Sequence, residues 1–561
     1  MLNGETYTGR ARHLRRRGTA LGAAAVAAAL GLAACGGGGG SSDDNAGAEG
    51  QELECSTESV ADEQWKAAEP REFSLLWTDW ADYPITDTWE FFDEIEERTN
   101  VKLKLTNIPF SDHEEKRSLL ISAGDAPQII PLIYTGEEQQ FAASGAVVPL
   151  SDYIDYMPNF KKYTEEWDLV DMVDDLRLDD GKYYMTPGLH EVSVPMFSMI
   201  IRKDVFDEVG APAPETWEDL EKGLELIKAK YPDSQPLADG FEGGAITNYA
   251  AHAFGTVAGW GFGDGAWWDE DKGEFVYAGA TDGYKDMVTY FRGLTDKGLL
   301  DTESFTEAND GGGTVTEKVA AEKVFAASGG SWTVQEFATA LDAAGITDYE
   351  LVQIAPPGGP AGQMVEPRNF WNGFMLTADA AKDENFCDLL HFTDWLYYNQ
   401  DARELIQWGV EGKHYTKDAE GNYSLNPEYT LKSLNLNPSG TIDIKKDLGF
   451  ANDVLVGSTE SIELKMSYNT PAYGTYIEAI QETRTPRDPF PPHPLDEMEL
   501  EQSSLLGTPL KDTVDTATLA FILGQRDLSE WDAYVSGLEG QGLSSYMELI
   551  NGAYERANEN G

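Results

Sequence analysis

Fourteen tryptophans and 25 tyrosines are the side chains best suited to hold a ligand in this 561-residue sequence. Most of them must build a core, but several fall where a core ring would have few neighbours. Asp79 and Trp80 follow one apolar run and Tyr134 follows another. Trp260, Trp267 and Trp268 lie in a glycine-rich stretch, and Trp332 follows Gly329-Gly330. Catalytic signatures are missing: the sequence has no H-E-x-x-H, no G-x-S-x-G and no phosphate-binding G-x-x-x-x-G-K. Its 98 acidic residues would always supply two carboxylates at the ~5–10 Å that glycoside hydrolysis needs. A tethered glycoside hydrolase therefore stays open on composition.

Cys35 is the other residue with chemistry of its own. It follows Leu32-Ala33-Ala34, at the end of an apolar stretch from Thr19 that comes after Arg10, Arg12, Arg15, Arg16 and Arg17. A basic segment, an apolar segment and small residues at a cut site make a secretory signal. Leu-Ala-Ala-Cys resembles the lipobox of bacterial lipoproteins, which implies cleavage before Cys35 and a lipid thioether on its sulfur. The apolar stretch is shorter than the ~20 residues of a membrane span. Gly36 to Gly50 reads as a flexible linker. The expected product is exported, lipid-anchored and without a further membrane segment. A net charge of −57 argues against nucleic acid as a partner, because phosphate binding needs clustered Lys and Arg. Cys55 and Cys387 are candidates for a disulfide outside the cell, though two separated cysteines do not establish one.

The elements that position these residues follow from periodicity. Phe73–Trp77, Val101–Leu105, Gln128–Tyr134 and Pro195–Arg202 read as strands. Asp87-x-x-Glu90 and Ser111-x-x-Glu114 read as capping boxes opening helices that stop at Asn100 and Gly124. Strand, helix, strand, helix, strand is the rhythm of a mostly parallel sheet. Thr216 caps a helix with Trp217, Leu220, Leu224 and Ile227 on one face. The stretch from Gly240 to Gly283 reads as loops with short elements, and helical patterns return over 386–408 and 516–556. Asp269-Glu-Asp-Lys-Gly273 reads as a hairpin turn, too short for a calcium loop.

Several segments resemble the family 1 extracellular solute-binding proteins, the capture subunits of ABC sugar importers. Gly181-Lys-Tyr-Tyr-Met-Thr-Pro187 is similar to their "DGK-y-x-x-P" segment. Arg202-Lys-Asp204 to Gly210, then Pro214-Glu-Thr-Trp-Glu-Asp-Leu220, resembles their "KD … P-x-TW" signature. Gly124-Asp-Ala-Pro127 resembles "GD-x-PD", with Gln128 in place of the acidic residue. Trp408-Gly-Val-Glu-Gly-Lys-His-Tyr415 and the tail from Phe521 to Tyr554 are similar to the longer oligosaccharide-binding members. Some long members carry a calcium loop after the TW helix. Here Tyr231–Pro236 lacks its spacing, and no metal or cofactor is expected.

The resemblance implies a two-lobe α/β periplasmic-binding-protein-like fold of type II, with hinge crossovers and mostly parallel sheets. Residues 1–34 would be the signal and 35–68 the lipidated cysteine and linker, with order beginning near Glu69. One lobe would hold 69–190 and about 372–455, the other about 191–371 and 456–561. Crossovers are expected near 186–194, 370–377 and 454–468. A sugar between the lobes calls for aromatic plates and planar polar groups. The expected contacts are Trp332, Trp371, Trp80, Asp79, Trp260, Tyr134, Asn369, Arg368 and Glu191, with His190 beside the last. Trp332 leads because Gly329-Gly-Ser-Trp332 resembles the family's cleft loop. The implied partners are an oligosaccharide and the permease subunits, for a monomer on the outer face of a Gram-positive membrane. A structural wall lipoprotein is a third reading, although the body shows no repeats.

Overall fold

The apolar run 73–77 forms the middle of the strand Arg71–Asp79, which pairs in parallel with Val101–Pro109 and with Ile129–Ile133. The computed structural model describes residues 53–306, 313–452 and 459–560. The segment expected to be a signal, Cys35 and the glycine-rich linker lie outside the described residues. Among the described residues, no helix is long and apolar enough to cross a membrane.

Two sheets organise the chain. The first has the order Val101–Pro109, Arg71–Asp79, Ile129–Ile133, Phe370–Leu376, Thr186–Leu189. The second has the order Leu351–Ile354, Ser198–Arg202, Ala326–Gly329, Leu237–Ala238. Each has its own core. The first is built around Trp77, Phe91, Phe160 and Trp395, the second around Trp217, Phe291, Phe325 and Phe521. Each such ring contributes roughly 1.5–3 kcal/mol on burial.

The sheets are mixed, where mostly parallel ones were expected. Phe370–Leu376 runs antiparallel to both of its neighbours, as does Ser198–Arg202. Both strands enter their sheet from the opposite lobe, and so escape the βαβ connection that makes neighbours parallel.

Local signals hold where the backbone alone decides. Asn100, Gly124, Gly181 and Gly210 all have positive φ, and Thr216 accepts a hydrogen bond from the Asp219 N–H. The two other expected caps fail. The first helix begins at Glu90 behind Trp89. Trp89 is buried and donates its Nε1–H to the Lys446 carbonyl at 2.9 Å, so a tertiary contact sets that start, not Asp87. Ser111 lies in a 3-10 turn and bonds Asp112. The helical pattern over 386–408 divides at Asn399, whose side chain caps Gln400–Trp408. A buried helix, Gly244–Ala253, occupies the stretch expected to be loops. The turn at 269–273 closes the hairpin Ala266–Asp269/Glu274–Tyr277, as expected.

Order begins earlier than Glu69. Residues 53–68 form a strap on the first lobe. Trp65 is buried, Ser56 bonds Asp388 through both N–H and hydroxyl, and Asp62 takes the Tyr163 hydroxyl at 2.7 Å. A disulfide joins Cys55 to Cys387. His391 lies beside these sulfurs, but their bond leaves no thiolate pair for a metal.

Candidate functional site

Three chain segments run side by side between the two sheets. The His190 N–H donates to the Asn369 carbonyl at 2.8 Å, and the Glu191 N–H to the Glu460 carbonyl at 3.1 Å. The Arg368 N–H donates to Ser193 Oγ at 2.8 Å. Glu191 accepts the Ile462 N–H at 2.7 Å, and the Asn369 amide reaches the His190 carbonyl. Glu191 and Asn369 therefore help to hold the crossing strands together, a role the sequence did not suggest. The segments sit near the expected crossovers. The third continues into 453–458, outside the described residues.

On the first lobe, Tyr134 meets Trp371 edge to face at 5.4 Å. The Arg368 guanidinium lies 4.0 Å from the centre of the Trp371 ring, and its Nε is 3.8 Å from Glu366. Burial raises the Tyr134 pKa above its ordinary value, although Asn372 and Arg368 oppose the shift. The end of the strand that leads into Tyr134 is strained. Leu132 is buried with φ 59°, a region costly for a non-glycine residue. Arg117 donates to its carbonyl at 2.8 Å and pairs with Glu137, which accepts the Tyr134 N–H.

On the second lobe, Phe197 is the hub. It meets Trp332 at 5.4 Å, Trp260 at 4.9 Å and Phe241 at 5.2 Å, all edge-on. Trp260 keeps 51% of its surface exposed. A Cβ on Gly330 would come within 2.2 Å of the Trp332 ring, so glycine there lets the indole fold back. Phe197 and Arg368 line one small cavity with Asn248, Tyr249 and Glu366. Pairwise contacts thus run from Trp332 and Trp260 to Phe197, across this cavity to Arg368, and on to Trp371 and Tyr134.

Trp80 stands apart from these contacts. It stacks on Phe110 with centroids 3.8 Å apart, at the ends of two neighbouring strands. Asp79 closes its own loop by accepting the Ile85 N–H at 2.8 Å. Trp267 and Trp268 prove to be packing residues. They lie in the hairpin against Phe490 and Tyr554, in contact with the second core, because a glycine-rich stretch can still fold over a distant helix. Sequence reading missed Phe197, Phe241, Asn248 and Glu366. Phe197 lay inside the predicted strand 195–202, where an apolar residue carries no sign of facing a cleft.

A two-lobed α/β protein with aromatic faces at its crossovers is the architecture of a solute receptor. The chain belongs to the bacterial extracellular solute-binding protein family, whose model matches residues 90–403. It is 25% identical over 497 residues to the fructooligosaccharide ABC transporter substrate-binding protein FusA of Streptococcus pneumoniae, covering 83% of this chain and 87% of that protein. It is 23% identical over 475 residues to the polygalacturonan/rhamnogalacturonan-binding protein YtcQ of Bacillus subtilis, covering 83% and 88%. In fold it resembles the alginate-binding protein AlgQ2 in its calcium-free form, with a TM-score of 0.66, 19% identity and coverage of 88% and 100%.

Proposed function

We propose that this protein captures an oligosaccharide between its lobes and delivers it intact to the permease of an ABC importer. The contacts of Phe197 with Trp332 and Trp260, and of Trp371 with Arg368 and Tyr134, joined by the cavity that Phe197 and Arg368 line, support this reading. Flat rings match the apolar C–H faces of a sugar, and planar polar groups match its hydroxyls. FusA and YtcQ, which carry saccharides in their names, support the ligand class. The lobes comprise 69–190 with about 372–455, and about 191–371 with 456–561. The protein works as a monomer, held at the outer face of a Gram-positive membrane through lipid on Cys35. Ligand closes the lobes, and the closed form docks on the permease.

Thermal unfolding of residues 36–561 against neutral and acidic oligosaccharides tests this reading, with each sugar checked afterwards for cleavage. A raised Tm with intact sugar is expected, because a ligand of the native state stabilises it. A cleaved sugar would assign the protein to the hydrolases. No shift with any sugar would remove carbohydrate as the ligand. Trp332→Ala should weaken binding by ~1–3 kcal/mol, the range for stacking on an aromatic ring.

A further inference from the structure

Glu336 stands one helical turn after Trp332 on the helix Ser331–Ala343. Residues four apart share a face. Thr333, Phe337 and Leu341 are the residues this helix buries, so Trp332 and Glu336 flank the buried stripe. The same helix packs on the turn Lys432–Leu434 of the first lobe. Across from it lies Tyr83, in the loop after Arg71–Asp79. The Tyr83 pKa is raised by burial, then by the charges of Asp443, Asp82 and Glu336. Glu336 is therefore within electrostatic reach of the opposite lobe.

Glu336 is exposed and makes no ion pair or hydrogen bond among the described residues, while the protein crowded around it pushes its carboxyl up to about 7. Lys445 lies over the Tyr83 ring at 4.8 Å, and Lys432 belongs to the facing turn. Arg368, by contrast, already has Glu366 beside it. An exposed carboxylate with no partner of its own is open to a ligand's hydroxyl donors, and charge-assisted hydrogen bonds are roughly twice as strong as neutral ones. A second carboxylate brought to the same place would be repelled.

We propose that Glu336 contacts the ligand, accepting hydroxyl hydrogens of an uncharged oligosaccharide and discriminating against uronic-acid glycans. The inference rests on the carbohydrate reading above.

Titration calorimetry at pH 8 tests it with wild type and Glu336→Gln. The probes are a panel of neutral fructo-, xylo-, malto- and galacto-oligosaccharides, and trigalacturonate. Wild type should bind its tightest neutral sugar at least tenfold more strongly than trigalacturonate. Glu336→Gln should lose at least tenfold for the neutral sugar and narrow the preference, with its melting profile intact. Glu336→Ala should lose as much, which guards against a glutamine that mimics the acceptor. Both variants within twofold of wild type, or a wild type that prefers trigalacturonate, would overturn the assignment of Glu336 alone. A wild type that binds no sugar would overturn the carbohydrate reading and this inference with it.

Discussion

Arg368 lays its guanidinium 4.0 Å from the centre of the Trp371 ring. The two residues flank Asn369 and Phe370 at the start of the strand that carries the chain back into the first lobe. The cation covers the indole on one contact, and Tyr134 meets it edge-on at another. A ring braced in this way loses little freedom when a ligand stacks on it, which favours binding.

Replacing that ring is the direct test of the first-lobe face. Trp371→Ala should weaken oligosaccharide binding by ~1–3 kcal/mol, read by calorimetry. Affinity equal to wild type in a folded variant would place Trp371 outside the site.

Gly373 sits two residues further along the strand, where a Cβ would come within 1.8 Å of the Thr186 carbonyl oxygen. Backbone must move to admit a methyl group. Gly373→Ala should cost ~1–3 kcal/mol as overpacking does and should also weaken binding, because the same strand carries Trp371. A Tm within a degree of wild type would show that the two strands can separate freely.

The bond between Cys55 and Cys387 closes a sequence separation of 332. Its removal in Cys55→Ser with Cys387→Ser should lower stability by ~2–5 kcal/mol and leave sugar affinity unchanged, since the strap lies on the helices of the first lobe. Melting curves with and without reductant should give matching losses. A reductant-insensitive wild type would argue that the strap holds by its hydrogen bonds alone.

His493 donates its Nε2–H to the Asp264 carboxylate at 3.0 Å, joining the segment before the helix Glu497–Ile522 to the second-lobe hairpin region. Burial opposes charge on His493, but the hydrogen bond to Asp264 and its charge outweigh burial and raise the pKa. The stabilisation is therefore complete below the unfolded value near 6.5 and is lost as pH rises through the folded value. Asp264→Asn should flatten that part of the Tm-against-pH curve. An unchanged slope above pH 6.5 would take this pair out of the pH response.

Much of the fold was legible because it is written locally. Asn100, Gly124, Gly181 and Gly210 mark turns by their own backbone preference, and Thr216 caps its helix with its own hydroxyl. Asp87 and Ser111 misled because their spacing matches a cap, while burial of Trp89 and a 3-10 turn decide where those helices begin. The strap at 53–68 read as linker because polar residues surround its anchor, and only the first lobe gives Trp65 a place to be buried.

The order of residues by itself determined the acidic balance, the alternation of strands and helices and the resemblance to solute receptors, since each is read from the sequence alone. Which rings face one another was decided by the tertiary structure. Phe197 joins Trp332 to Trp260, and the strand Phe370–Leu376 brings Trp371 to Tyr134, through contacts between segments far apart in the chain. Hydrophobic pattern reports that a ring avoids water. It is silent on whether a core or a ligand will cover that ring, because both remove the same apolar surface.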